Sequence, residues 1–472
     1  MKETIHKLNA FLGLWVIISA VWLQGCIATA SRGAAALPDG IPETFGTSAE
    51  SSANTSVTTS SRPETLPITS RLLDLIDSGE LKALVDEALK NNPDIKALAF
   101  RLQSQRYLLS GPGSQSMPKV DAGFSSTRNN QEYNSDTRSI HKITANVSWE
   151  IDLWGRLADE YTAADQEVQA KEQDLLKARD ALAARVIQAW IRQKAARRAK
   201  VIETERLAVL QQIEDILIHR YRDGIGSLDE YAAARTRTQV AKADLSAQQA
   251  DLADFIRTLE LLLGRYPQGQ LTCGREWPAL ALPEPDTPAA VLLNRPDIRA
   301  ALARVDAALA QASAKDKARL PGVTLSAELF RSGTTLSDIG SATTYWVFLG
   351  SVFQPLFQSG RLRDEARAGH LEADAAIQDL HAVVLQALSE VENALTLENQ
   401  LAVQAKALGI AATESEKSSR YFADRYRQGL DNIQTLLIAK EQEISVKLRL
   451  NQALADQLSN RVNLAIAAGT GL

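Results

Sequence analysis

Cysteine, histidine and carboxylate side chains are the groups in this chain that could carry chemistry, and their spacing narrows what that chemistry is. The five histidines, His6, His141, His219, His370 and His381, form no HExxH pair, and His370 and His381 stand about three helical turns apart, too far to share a metal ion. There is no GxSxG nucleophile elbow, no phosphate-binding loop and no CxxC pair. What remains is chemistry performed on the chain rather than by it. Cys26 follows Leu23-Gln24-Gly25 at the end of an apolar run over residues 11–23, which is preceded by Lys2 and Lys7. A charged start and a short apolar run make a secretory leader, and a run of this length is too short to span a bilayer as a helix. A large aliphatic residue and a small residue ahead of cysteine form the pattern of the bacterial lipobox. Residues 1–25 therefore read as a lipoprotein signal peptide and Cys26 as the acylated new N-terminus, carrying palmitate or similar chains. Several chains on one cysteine anchor far better than a single one. Ile27 rather than Asp follows the cysteine, which directs the expectation to the outer membrane. This covalent lipid is the only cofactor expected, and no metal ligands are assigned.

Cys273 is the only other cysteine, so the chain has no intramolecular disulfide available and must rest on packing; Cys273 reads as a loop or buried thiol. The net charge of -5 gives no reason to expect nucleic acid. Aromatic residues make up 6% of the 472, while Ala, Leu, Gln, Glu and Arg dominate long stretches. Such a composition leans towards long helices and coiled coils. Residues 26–66 are rich in Ser, Thr, Ala and Pro without an apolar period, which suits a tether between a lipid and a folded body.

The elements that must do the work are written twice. Asn92-Pro93-Asp94-Ile95 recurs as Arg295-Pro296-Asp297-Ile298, 203 residues later, and Pro118 matches Pro321 at the same offset. Leu153-Trp154-Gly155-Arg156 matches the stretch from Leu356 to Gly360-Arg361, and Arg220-Tyr221-Arg222-Asp223-Gly224 matches Arg425-Tyr426-Arg427-Gln428-Gly429, both at an offset of 205. Four landmarks in one order define two repeats, here placed at residues 67–270 and 286–472 with a linker over 271–285. Each repeat reads as helix, strand, strand, long helix, turn, helix. The first helix is expected to run about 34 residues from near Leu81 and from near Pro296. Gly111-Pro112-Gly113 should end it early in the first repeat. Residues 156–223 contain neither Gly nor Pro and residues 361–428 contain no Pro, so each predicts a helix on the order of 100 Å long. These helices are too rich in charge to face lipid. Gly224 and Gly429 suit the turns of two helical hairpins, whose tips are expected side by side.

Strands separate a duct from a fibre. Over residues 143–153 every odd position is apolar and every even one polar, and residues 323–329 alternate in the same way. That is the period and length of a tilted transmembrane strand. Residues 120–124 alternate more weakly, and residues 345–353 are apolar on both faces. The connections over 125–142 and 331–343 are polar and fit solvated outer loops. Four strands cannot close a barrel, and an open edge in lipid leaves backbone groups unsatisfied. Three copies would give twelve strands and six hairpins.

The stretches over residues 81–95, 149–156, 220–229, 294–298, 355–361 and 425–437 together resemble the TolC family of outer-membrane efflux ducts, in particular its lipoprotein branch. The resemblance covers nearly all of the chain from about residue 70 onward. It implies a mainly α fold with a small transmembrane β-barrel portion: a homotrimer whose 12-strand barrel stands on a long periplasmic α-helical barrel. It also implies the function of an exit duct in a tripartite resistance-nodulation-division efflux pump, with a periplasmic adaptor and an inner-membrane transporter as partners. In the family, carboxylates at the periplasmic tips narrow the entrance; at one such place this chain has Ile438. Asp229, Glu230 and Asp431 lie closer to the turns and read either as an acidic ring or as carboxylates placed by the helix dipole. Tyr221 and Tyr426 sit one turn before the glycines, where the family closes its entrance, and read either as a latch or as packing.

Two other readings remain at this level. A periplasmic coiled-coil scaffold or adaptor would explain the lipobox and the helices, but would not need two pairs of lipid-facing strands. A duct for type I protein secretion would share every feature except the lipid anchor, which favours small-molecule efflux by analogy.

Overall fold

The computed structural model describes residues 78–130, 137–271, 282 and 287–469. The leader, Cys26, the tether over 26–66, Cys273 and most of the 271–285 linker lie outside these residues. Each repeat opens with short helices: α1 Gly79–Asn91, α2 Pro93–Leu108 and α3 Ser110–Gln115 in the first, and, in the second, a pair spanning Pro288–Asn294 and Pro296–Lys317. In the first repeat the single opening helix expected from near Leu81 is therefore broken, because Pro93 holds the preceding Asn92 extended, at ψ 126. In the second repeat the helix begins at Pro296 as expected, behind Arg295 at ψ 128, but has 22 residues rather than about 34. α2 ends at Leu108, just before Gly111-Pro112-Gly113, which is the early stop expected, and those three residues lie in the separate short helix α3. Pro112 falls in the first turn of α3, where its missing N–H has no intrahelical partner to lose.

The strands β1 Lys119–Asn130 and β2 Thr137–Ile151 follow α3. Then come the helices α4 Arg156–Arg222 and α5 Leu228–Leu262. In the second repeat, α6 Pro288–Asn294 and α7 Pro296–Lys317 lead to β3 Gly322–Gly333, the turn helix α8 Asp338–Ser341 and β4 Tyr345–Phe353. The helices α9 Arg361–Arg427 and α10 Ile433–Ala467 complete it. α4 and α9 have 67 residues each, so at 1.5 Å per residue they run on the order of 100 Å. Their return helices have 35. Each long helix thus pairs with its return helix over the half nearest the turn and with opening helices over the other half.

The four strands form one antiparallel sheet in the order β1-β2-β3-β4. The strand β2 joins the repeats, with Val147 opposite Val120 on one side and Ala327 on the other. β1 and β2 reach further than alternation suggested, so the polar connection between them shrinks to residues 131–136. The β3–β4 connection is built rather than loose. Asp338 accepts from the Thr335 backbone N–H at 2.9 Å, and Arg331 donates to Thr344 Oγ1 at 2.8 Å.

The core lies where the opening helices meet the hairpins, and it obeys the repeat. Val186, Leu259 and Ala88 are buried in the first half, as Val391, Leu464 and Val291 are at the matching positions of the second. The joint above it also recurs, with different chemistry. Asn92 caps α2 through Oδ1, which accepts from Asp94 N at 2.9 Å and Ile95 N at 3.3 Å, and its Nδ2 donates to Leu262 O at 3.0 Å. At the matching position Arg295 donates to Ala467 O at 3.0 Å and pairs with Asp297 and Glu390 at 2.8 and 2.7 Å. Both side chains satisfy the last carbonyls of a return helix, where the dipole also favours the cation. Asn92→Ala removes a cap and a cross-helix bond together. It should cost about 1–2 kcal/mol, read as a lower urea midpoint at unchanged denaturant dependence; a loss below a few tenths would show that the joint is not held there.

Candidate functional site

The turns at the ends of the two hairpins share one backbone design. Gly224 and Gly429 take left-handed backbone, φ 75 and 71, so each long helix ends without a side-chain clash. Ile225 N donates to Arg220 O and Leu430 N to Arg425 O, while each glycine N–H donates to the carbonyl of the tyrosine three residues before it. Two orphan carbonyls are thereby satisfied at each tip.

Their side chains differ. In the second turn Arg425 reaches across the hairpin to Asp431, and also donates to Tyr421 Oη at 3.2 Å and Leu430 O at 3.4 Å. Its guanidinium lies over the Tyr421 ring, 5.5 Å from the centroid. The hydrogen bond to Asp431, then that to Tyr421, raises the pKa of Arg425 further above its ordinary value. In the first turn Arg220 occupies the matching place, but Gly226 stands where Asp431 would be. A Cβ there would lie 2.9 Å from Tyr221 N, so the tight backbone excludes the side chain that would complete the pair. Asp229 and Glu230 fall in the first turn of α5, and among the described residues neither forms an ion pair. Asp431 is thus held by an arginine, whereas Asp229 and Glu230 are unpaired carboxylates at a helix start.

The tips do converge. Ile213 and Leu217 of α4, Ala234 of α5 and Leu437 of α10 share one buried cluster, with Phe422 and Tyr426 of α9 packed against it. The two tyrosines are not equivalent: Tyr426 is half-buried on that cluster, while Tyr221 is 41% exposed. Ile438 is exposed on the surface of α10. Further from the tip, Glu443 is buried between Lys440 at 2.9 Å and Lys447 at 2.6 Å. Burial pushes its carboxyl up, but the hydrogen bonds, led by that of Lys447, outweigh it and hold Glu443 at about 2.

At the other end the sheet has two unlike faces. The odd-numbered positions of β2 and β3 carry Val147, Trp149, Leu325 and Leu329; the even-numbered positions carry Lys142, Asn146, Ser326 and Glu328. On the second face Lys142 pairs with Glu328 at 2.5 Å and sits over Phe330, 4.2 Å from its centroid, and Phe330 stacks on Tyr345 at 5.4 Å. β4 is apolar on both faces and exposed along its whole length. Where the strands meet the helices, the indole N–H of Trp149 donates to Ser116 O at 2.9 Å and that of Trp154 to Pro321 O at 2.7 Å. Gly155 and Gly360 turn the chain there with left-handed backbone. Arg156 then ties Glu150 of the strand to Glu160 of the helix, both at 2.6 Å.

A long charged hairpin bundle continuous with a small amphipathic sheet defines a class of envelope duct, and comparison with known proteins agrees. The chain belongs to the outer membrane efflux protein family, whose model matches residues 84–265 and 287–470. It is an outer-membrane exit duct for efflux. It is 26% identical over 402 residues to the toluene efflux pump outer membrane protein TtgF of Pseudomonas putida, covering 83% of each chain. It is also 26% identical over 404 residues to the cation efflux system protein CusC of Escherichia coli, covering 83% of this chain and 86% of that one. Among solved structures, the open-state MtrE outer membrane channel of Neisseria gonorrhoeae superposes with a TM-score of 0.83 at 23% identity, covering 94% of this chain and 98% of that one.

The Arg425–Asp431 clamp and Glu443 were not assigned from sequence. Opposite charges six residues apart around a turn glycine were a usable signal for the clamp. The Lys142–Glu328 pair had none, because it depends on the register between β2 and β3. Because Glu443 is depressed from an ordinary 4.5 to about 2, its contribution is complete above about pH 4.5 and is lost as pH falls through 2. Glu443→Gln should melt below wild type at pH 6 and converge with it as pH approaches 2; a constant gap across that range would show that the carboxylate charge is not what stabilises the hairpin.

Proposed function

We propose that three copies of this chain close their sheets into a 12-strand barrel in the outer membrane, with six hairpins forming a continuous periplasmic duct below it. The observation that carries this reading is the sheet itself: one face apolar, the other polar over β2 and most of β3, and both outer edges, on β1 and β4, unpaired. Lipid tolerates no open edge, so pairing β4 of one copy with β1 of the next satisfies the backbone all round. Among the described residues no helix is long and apolar enough to cross a membrane, which leaves the span to the strands. On this reading the Val147–Leu325 face meets lipid, the Lys142–Glu328 face lines the lumen, and Trp149 and Trp154 lie at the periplasmic interface, where indoles favour one wet and one apolar side.

The repeats at 67–270 and 286–472 then each supply one hairpin, joined by the 271–285 linker, and Cys26 carries the lipid that holds the tether over 26–66 to the inner leaflet. The tips engage a periplasmic adaptor, and an inner-membrane transporter of the resistance-nodulation-division type supplies the energy. The chain itself performs no catalytic step and needs no cofactor beyond its lipid. At the entrance, the Arg425–Asp431 clamp holds the second turn closed over Tyr421, and Asp229 and Glu230 present the unpaired acidic groups. Residues Tyr221, Gly224, Tyr426 and Gly429 set the shape of the turns.

Purified full-length protein should have the mass of a trimer in detergent and give stepwise conductance in planar bilayers. A non-conducting monomer released without detergent would sink the duct in favour of a periplasmic scaffold. Asp431→Asn should raise the open fraction or the step size by freeing Arg425, and Tyr426→Phe should leave both unchanged because the ring, not the hydroxyl, packs. An unchanged Asp431→Asn channel would remove the clamp from the gate, and a more open Tyr426→Phe channel would make the hydroxyl a latch.

A further inference from the structure

Four helices of the two hairpins stand side by side in the order α5, α4, α10, α9, and the outer two make no comparable contact with each other. An open groove of about 730 Å³ is lined by residues of all four. A hollow that reaches both outer helices of a row lies on its concave side. α1 packs on the other side of α4, against Ile187 and Trp190, whereas Arg192, Ala196 and Ala199 of the same helix face the groove at spacings of four and three. On the duct reading the concave side is the lumen wall. The groove then stands roughly 40 Å from the tip turns at 1.5 Å per residue, well away from the entrance.

Two buried amides belong to its lining. Asn451 and Asn460 of α10 are 3% and 2% exposed. Asn451 Nδ2 donates to Ala195 O of α4 at 2.8 Å and Asn460 Nδ2 to Ala394 O of α9 at 2.9 Å, so the pair ties α10 to both neighbours. A carbonyl can only accept, which fixes the orientation of each amide. Both Oδ1 atoms are left without a hydrogen-bond partner among the described residues. An enclosed acceptor is costly until a donor reaches it. The rest of the lining divides into apolar area and negative charge. Phe255 of α5 and Leu397 and Leu401 of α9 supply the apolar side chains of the two walls. Asp251, one turn before Phe255, and Asp456 of α10 are exposed and form no ion pair among the described residues, although Asp456 accepts from Gln452 at 2.8 Å. Arg192 is the one cation of the lining, so carboxylates outnumber it.

We infer that this groove binds organic amines in their protonated form, with the apolar body against Phe255, Leu397 and Leu401, the charge beside Asp251 and Asp456, and ammonium N–H donors completing Asn451 or Asn460. Largely apolar walls with a few converging polar groups are what orient a small molecule. A concave surface with an excess of one charge also raises the local concentration of the opposite ion. Conduction asks for this kind of site, favourable enough to enter and weak enough to leave. The role as a stopping place for an exported compound rests on the duct reading above. The groove itself does not, because every residue that forms it belongs to one chain.

The test is protection of a cysteine in the purified full-length protein. Ser459→Cys, in the groove lining, is placed in a Cys273→Ser background, and its reaction with a small neutral maleimide is timed. Phenethylammonium at millimolar concentration should slow the reaction severalfold. Phenylacetate, with the same ring and the opposite charge, should not, nor should methylammonium, which has the charge without the ring. Val403→Cys, exposed on α9 and outside the lining, should react at one rate throughout. Asp251→Asn combined with Asp456→Asn should abolish the protection and leave the unprotected rate unchanged, and the N-trimethylated probe should protect less. No protection by phenethylammonium, or equal protection by phenylacetate, would overturn the site, and protection that survives in the double Asn variant would remove the carboxylates from it. Full protection by the trimethylated probe would overturn the contact with the asparagines. A conducting trimer without protection would overturn the groove and leave the duct, whereas a non-conducting monomer with protection intact would overturn the duct and leave the groove.

Discussion

Backbone polar groups have no water to bond with inside hydrocarbon, and that constraint organises this molecule. A four-stranded sheet satisfies its inner strands and leaves two edges open. Covering an edge with helix would solve the problem in water, but here the helices run away from the sheet and carry charge along their length. The remaining solution is to continue the sheet into another copy. Everything below the strands then has to be compatible with a ring, which accounts for helices that stand as long, narrow hairpins rather than folding back around a globular core.

Duplication makes such a ring simple to specify, because one packing solution serves every position around it. The core positions show this directly: Val186 and Val391, or Leu259 and Leu464, are the same residue in the same environment. Where the repeats diverge, the physical task is often kept while the group is exchanged. Asn92 and Arg295 both satisfy the final carbonyls of a return helix, one by an amide and one by a guanidinium that brings two carboxylates with it. The amide is neutral and compact, so it needs no countercharge. The guanidinium is buried and does.

At the tips the divergence has a different character. The backbone of both turns is held by the same pair of hydrogen bonds, yet only the second turn carries an ion pair across it. A glycine in the first turn removes the acid and at the same time permits a close chain approach that the acid would block. Six tips around one entrance would therefore alternate between clamped and unclamped turns.

Much of this was legible in the linear chain. The duplication, the two long helices, the alternation over residues 143–153 and 323–329 and the glycine turns follow from composition and local periodicity, because backbone sterics and side-chain direction act over a few residues. The lipobox is likewise local, and Cys26 remains a reading from sequence alone. Local signals misjudged the length of the opening helices: Pro93 breaks the first, and the second stops at Lys317, well short of the expected length. What only the tertiary structure decided were the pairings between distant segments. Lys142 meets Glu328 only after strand register is set, and Glu443, whose lysine partners stand one turn away on its own helix, is buried only after interhelical rotation is set. Those depend on the summed packing of whole faces, which no short stretch of residues encodes.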